Sequence, residues 1–123
     1  MGSKGQTGIR RIISAGFNSV AGLKAAWQGE AAFRQECVLL AVMFPAAFWV
    51  GGNAVEWSLL IGSGLIVLLT ELLNTAVEAT VDRVGTDHHS LSGQAKDLGS
   101  AAVLVSLLLL GVVWGMIAWQ NFA

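Results

Sequence analysis

At 123 residues the chain is sized for one small domain, and with 54% hydrophobic against 12% charged residues it cannot clothe a soluble sphere. That composition places it in a lipid bilayer. The single cysteine, Cys37, excludes an internal disulfide and is read as packing, and a formal net charge of −1 suggests no nucleic-acid partner.

Residues 1–8, rich in Gly, Ser and Lys, are expected to form a mobile leader. No short apolar core followed by a small-residue cleavage site precedes the first span, so a cleavable signal is not expected. Over residues 9–28, Ile12, Ile13, Phe17, Val20, Leu23 and Trp27 collect on one face of a helical wheel, with Arg10, Arg11, Ser14, Asn18 and Gln28 on the other. That pattern predicts a helix lying in the membrane interface, and Gly29 allows a bend after it.

Three spans follow. No charge lies between Glu36 and Glu56, between Glu56 and Glu71, or after Asp97. A hydrocarbon core about 30 Å thick needs roughly 20 helical residues, which places the spans at 31–50, 55–79 and 98–120. The first holds Pro45, tolerable in lipid where neighbours satisfy the freed carbonyl. Trp49, Trp57, Trp114 and Trp119 stand near span ends, where amphipathic rings favour the water boundary. Lys4, Arg10, Arg11, Lys24 and Arg34 precede the first span and Arg83 and Lys96 flank the second loop, whereas the first loop and the C-terminal tail have no basic residue. The positive-inside rule then puts the N-terminus and second loop in the cytoplasm and the C-terminus outside or in the periplasm. No long-period repeat or separate soluble domain breaks this plan, which predicts an all-α membrane protein of one domain.

Within the second span Glu71, Asn74, Glu78 and Asp82 recur at i, i+3, i+7 and i+11. At about 100° per residue they share a narrow arc. Ionisable groups at that depth cost several kcal/mol each unless compensated, so they mark a functional site. Glu30, Arg34 and Glu36 lie at the start of the first span, Asp87-His88-His89-Ser90 in the second loop, and Lys96-Asp97-Leu98-Gly99-Ser100 at the mouth of the third. All of these fall at one membrane face. Three thin helices shield such a stripe poorly from lipid, which points to an oligomer.

Carboxylate oxygens suit Mg²⁺, which often uses one or two protein carboxylates and completes its shell with phosphate oxygens and water; Glu30 and Glu78 can supply them from separate helices. Glu71 lies about 10 Å deeper than Glu78 at 1.5 Å per residue. Desolvation there favours proton capture, as a general base near neutral pH requires. Asn74 can orient that base or the nucleophile, and Lys96 can neutralise phosphate charge. The set fits phosphoryl transfer from a soluble nucleotide to a hydroxyl held at the membrane surface, a reaction of positioning and electrostatics. No Gly-x-x-x-x-Gly-Lys-Ser/Thr loop or soluble-kinase signature is present.

The runs Glu30-Ala31-Ala32-Phe33-Arg34-Gln35-Glu36, Glu71-Leu72-Leu73-Asn74-Thr75-Ala76-Val77-Glu78, Asp82-Arg83-Val84-Gly85 and Ala95-Lys96-Asp97-Leu98-Gly99-Ser100-Ala101-Ala102 resemble the prokaryotic diacylglycerol kinase family. The resemblance runs from Gly8 onward with matching span order. It implies a homotrimeric inner-membrane kinase with shared active sites that converts diacylglycerol and Mg-ATP to phosphatidic acid and ADP. Carried onto matching positions, it makes Glu71 the base and Glu30 and Glu78 the Mg²⁺ ligands that also organise ATP. It places Asn18, Asp82, Asp87, His88, His89, Lys96 and Asp97 near the nucleotide, and Arg11, Arg34, Gln35 and Ser100 near the lipid. Asn18 and His88 depart from the residue types more common in the family at those places.

Blander readings compete. Glu71 with Asn74 can act as polar glue between helices, although two carboxylates and an amide on one stripe exceed what association needs. Glu30 and Arg34 have the spacing of an ordinary i, i+4 ion pair, which spacing alone favours. Adjacent loop histidines are usually solvated, and zinc there would need more ligands. Asp82 with Arg83 can anchor a helix end, and Lys96 can be only a topology signal. A proton-coupled exporter accounts for Glu71 alone, since carriers keep their sites near the midplane. A non-catalytic membrane peptide leaves the stripe unexplained. Within the kinase class, undecaprenol is the alternative acceptor.

Overall fold

The computed structural model describes residues 5, 7–85 and 89–123. Of the expected leader, residues 1–4 and 6 lie outside the described residues, as do Asp87 and His88 of the second loop. The described chain is all-helical: α1 (Gly8–Gly29), α2 (Ala31–Val50), α3 (Ala54–Val84) and α4 (Ser90–Phe122). The last three are long and apolar enough to cross a membrane.

Helix α1 keeps its apolar side chains outward. Ile12, Phe17, Val20 and Trp27 are exposed, and Ala26 alone is buried. The small Ala26 lets the helix lie close to its neighbours, while the large residues remain for the membrane boundary. A break at Glu30, in an extended conformation, separates α1 from α2. Helix α2 continues through Pro45 to Val50.

A tight turn then reverses the chain. Asn53 caps α3 by accepting from the Glu56 N–H at 3.0 Å, and the Glu56 carboxylate reaches back to the Gly52 N–H at 3.0 Å. This is a capping box displaced by one residue, since the reciprocal bond goes to the residue before the cap. Trp57 seals the turn by donating to the Gly51 carbonyl at 2.9 Å.

The long helices exceed the spans expected from hydropathy. Helix α3 runs to Val84 rather than ending at residue 79, and α4 begins at Ser90 rather than at residue 98. Hydropathy marks only where apolar residues stop, whereas the helical hydrogen-bond ladder continues until a residue breaks it. Gly85 ends α3 in an extended conformation, and the His89 ring caps α4 by accepting from the Leu91 N–H at 3.1 Å. At 1.5 Å per residue, the 31 residues of α3 span about 46 Å, well beyond a hydrocarbon core of about 30 Å. The polar ends of α3 and α4 therefore stand clear of the apolar layer.

Helices α3 and α4 form the most extensive packed pair and run antiparallel. Trp114 donates to the Leu60 carbonyl at 3.2 Å, Thr70 to the Ser106 hydroxyl at 2.9 Å, and Lys96 pairs with Asp82 at 2.8 Å. Leu40, Ala47, Leu60 and Val67 form the core between α2 and α3. At Gly64 an added methyl would lie 2.8 Å from the Phe44 ring, so the absence of a side chain sets that approach. Leu104, Val105, Leu108, Val112 and Met116 of α4 are exposed, an apolar face at home in lipid but not in water.

Candidate functional site

Glu71 and Asn74 are two of the few buried polar side chains, at 6% and 8% exposure. They sit one turn apart on α3, as the spacing predicts, on the side where it meets the other helices. Asn74 Nδ2 donates to Glu78 Oε1 at 2.8 Å, so the stripe is linked along its length. Glu71 interacts electrostatically with Glu30 and Glu78, and Glu36 interacts with Glu71. Four carboxylates from the start of α2 and the middle of α3 thus share one region.

That region gathers carboxylates without a cationic partner among the described residues. Among the described residues the ion pair is Lys96 with Asp82, and none of the four carboxylates takes part in it. Glu36 Oε2 and Asn74 Oδ1 are buried side-chain oxygens without a hydrogen-bond partner. Such atoms are costly unless a ligand, a proton or water meets them. Hard oxygen donors and unbalanced charge fit Mg²⁺. Among the described residues no three metal-ligating side chains gather into a closed cage. Two carboxylates are what Mg²⁺ uses when phosphate oxygens and water complete its shell.

A groove of about 590 Å³ runs between α1 and α3 up to Glu30. Gly22, Ala25, Ala26 and Gly29 form one wall and Leu72, Ala76 and Ala79 the other. Small residues on both sides hold it open. On the far side of α3, Asn74 lies against Gly99 of α4, where an added methyl would collide with Asn74 Oδ1.

The remaining expected site residues are distributed around this cluster. Asp82 and Lys96 join the polar ends of α3 and α4, at half-exposed positions. Asp97 and Ser100 are exposed on the first turns of α4, and Gln35 is exposed on α2. His89 is committed through Nδ1 to capping α4. Arg11 and Asn18 are exposed on α1, with no side-chain hydrogen bond or ion pair to another described residue. Arg34 does not pair with Glu30, contrary to the reading that spacing alone favours; its Nη1 donates to the Trp27 carbonyl at 2.6 Å.

Two residues escaped assignment from sequence. Sequence alone assigns Glu36 no role, yet its carboxylate interacts electrostatically with that of Glu71, and the rule that singles out a carboxylate inside a span applies to it equally. Gly99 stands in the motif at the mouth of the third span without a role of its own, because its effect lies across the helix interface. The spacing of Ala95, Gly99, Ala102 and Ser106, small residues three or four apart, was the available signal of a close helix contact.

Residues 17–118 match the family described as prokaryotic diacylglycerol kinase. The chain is 47% identical over 116 residues to a diacylglycerol kinase of Escherichia coli K12, covering 94% of this chain and 95% of that one. It is 50% identical over 114 residues to a diacylglycerol kinase of Pseudomonas aeruginosa PAO1, covering 93% of each. Against a diacylglycerol kinase of Haemophilus influenzae Rd the identity is 48% over 109 residues, covering 89% of this chain and 92% of that one. With its four helices in the same order as the motifs, the chain belongs to the prokaryotic diacylglycerol kinase family.

Proposed function

We propose that the protein phosphorylates diacylglycerol to phosphatidic acid with ATP at the cytoplasmic face of a bacterial inner membrane. The observation that carries this reading is the buried Glu71, set among Glu30, Glu36 and Glu78 where apolar helices meet polar helix ends. A lipid alcohol arrives there from the bilayer. A nucleotide arrives from water.

Glu71 takes the proton of the acceptor hydroxyl as that oxygen forms its bond to the γ-phosphorus, and the bond from phosphorus to the β–γ bridging oxygen breaks to release ADP. Burial excludes competing water, so the phosphoryl group passes to lipid and not to solvent. Asn74 holds Glu78 through its amide and so fixes that carboxylate one turn from Asn74 on the polar stripe. Glu30 and Glu78 would hold Mg²⁺, which would supply neutralisation of phosphate charge. Lys96, with Asp97, Asp82 and the loop carrying Asp87, His88 and His89, meets the nucleotide, and Asn18 approaches it from α1. Arg11, Gln35 and Ser100 lie on the lipid side.

The basic residues flanking the second loop and those of the N-terminal segment support a cytoplasmic setting for this end. The exposed apolar faces of α2 and α4 leave surface for two further copies, and a homotrimer with shared sites completes the enclosure of the stripe. The decisive experiment supplies purified protein in matched micelles with Mg-ATP and either diacylglycerol or undecaprenol. Phosphatidic acid formation supports the assignment. A preference for undecaprenol moves the acceptor within the lipid-kinase class, and ATP consumption without any lipid product rejects it.

A further inference from the structure

The bend between α1 and α2 contains an arrangement that residue spacing conceals. Glu30 and Arg34 stand at the separation of a helical ion pair, but residue 30 is not helical, with φ −124° and ψ 108°. Arg34 Nη1 instead donates to the carbonyl oxygens of Trp27 at 2.6 Å and Gln28 at 3.4 Å. These belong to the last turn of α1, which has no basic residue of its own. A helix leaves its final carbonyls without intrahelical donors and concentrates partial negative charge there. The Glu30 N–H serves the Ala26 carbonyl at 2.9 Å, and Arg34 serves the next two.

Arg34 itself occupies the first turn of α2, where the helix dipole disfavours a cation. Its place is therefore explained by α1 and not by its own helix. Meanwhile the Glu30 side chain makes no capping bond to α2, has no ion-pair partner among the described residues, and borders the groove beside α3.

We propose that Arg34 is a positioning residue: by tying the end of α1 to the start of α2 it fixes the bend at Glu30 and keeps that carboxylate unpaired for a divalent cation. This rests on the reading of Glu30 as an Mg²⁺ ligand. It gives Arg34 a role other than contact with the lipid. Partners that orient a metal ligand without touching the metal are worth roughly 10–100-fold in metal affinity.

The test uses Mn²⁺ as the probe, titrated into the purified full-length protein in detergent and followed by electron paramagnetic resonance. Wild type is compared with Glu30→Gln, Arg34→Met and Arg34→Lys. Loss of Mn²⁺ affinity in Glu30→Gln establishes the ligand; unchanged affinity there removes the metal reading on which the proposal rests. Given that loss, Arg34→Met should bind Mn²⁺ about tenfold or more weakly and need correspondingly more Mg²⁺ for half-maximal turnover, with the lipid KM unchanged. Arg34→Lys should recover most of the affinity, since an ammonium also donates to terminal carbonyls. Unchanged Mn²⁺ affinity in Arg34→Met, above all with a raised lipid KM, overturns the proposal. Should Arg34→Met fail to fold, Arg34→Lys decides alone: near-wild-type affinity supports the clamp, and a loss equal to that of Glu30→Gln overturns it.

Discussion

Gly99 of α4 lies directly against the side-chain oxygen of Asn74 on α3, in space that a single added methyl would fill. The same Asn74 donates through its amide to Glu78 at 2.8 Å. Helix packing and the orientation of a proposed metal ligand are thus joined through one side chain. Gly99→Ala must push the helices apart or turn Asn74 away from Glu78. Overpacking of this kind costs about 1–3 kcal/mol, and a small misplacement of reacting groups costs up to roughly a hundredfold in rate. Earlier thermal inactivation in detergent together with reduced kcat is the expected result, and an alanine variant matching wild type in both would show that the interface yields without strain.

Glu71 is asked to accept a proton, which glutamine cannot do. Glu71→Gln keeps the shape of the side chain, so folding and assembly should persist while turnover falls about 10²–10⁴-fold, the usual contribution of a positioned base. Size-exclusion chromatography and a radiolabelled lipid-phosphorylation assay report the two properties separately. Turnover within a few-fold of wild type would assign the proton to another acceptor.

Asn74 supplies an unpartnered buried oxygen and an amide donor. Asn74→Asp retains the oxygen but sets a further carboxylate beside Glu71 and Glu78. The added negative charge should lower the Mg²⁺ concentration needed for half-maximal rate while reducing turnover by repelling the nucleotide phosphates, and Asn74→Ala should lower kcat without that shift in metal demand. Equal metal titrations of the two variants would separate Asn74 from the metal site.

Lys96 meets Asp82 at 2.8 Å across the polar ends of α3 and α4, but both side chains are substantially exposed. An exposed pair of this sort adds little to stability. Lys96→Gln should therefore leave the inactivation temperature nearly unchanged and act on the nucleotide, raising the KM for ATP more than that for lipid. A large loss of thermal stability with an unaltered ATP KM would instead make the pair a structural clasp.

At the opposite end Asn121 donates to the Val50 carbonyl and to Glu56, each at 2.8 Å, and Gln120 reaches Glu56 at 3.4 Å. The last turn of α4 is thereby fastened to the turn between α2 and α3, far from the carboxylate cluster. Asn121→Ala should lower the inactivation temperature while leaving kcat and both KM values close to wild type. Kinetic change without loss of stability would contradict that division.

Much of this was written in the order of residues. Unbroken apolar stretches force helices in a medium that cannot satisfy backbone polar groups, so three spans follow from hydropathy, and the period of α1 assigns its apolar face. The stripe from Glu71 to Asp82 needed only the helical repeat, because one helix carries all four groups. The helix ends did not follow: α3 and α4 continue past their apolar residues to Val84 and from Ser90, since termination depends on Gly85 and on the His89 cap.

Relations between helices were a different matter. Spacing suggested an ion pair between Glu30 and Arg34, and the structure gives Arg34 to the carbonyls of α1 because the helix breaks at residue 30. Glu36 is six residues from Glu30 in sequence, but only the packing of α2 on α3 brings it within electrostatic reach of Glu71. Local periodicity determined what each helix is and which face of α3 is polar. Tertiary packing alone decided which charges confront one another and which remain unpaired, because electrostatic and steric contacts depend on distances across space that a one-dimensional pattern does not carry.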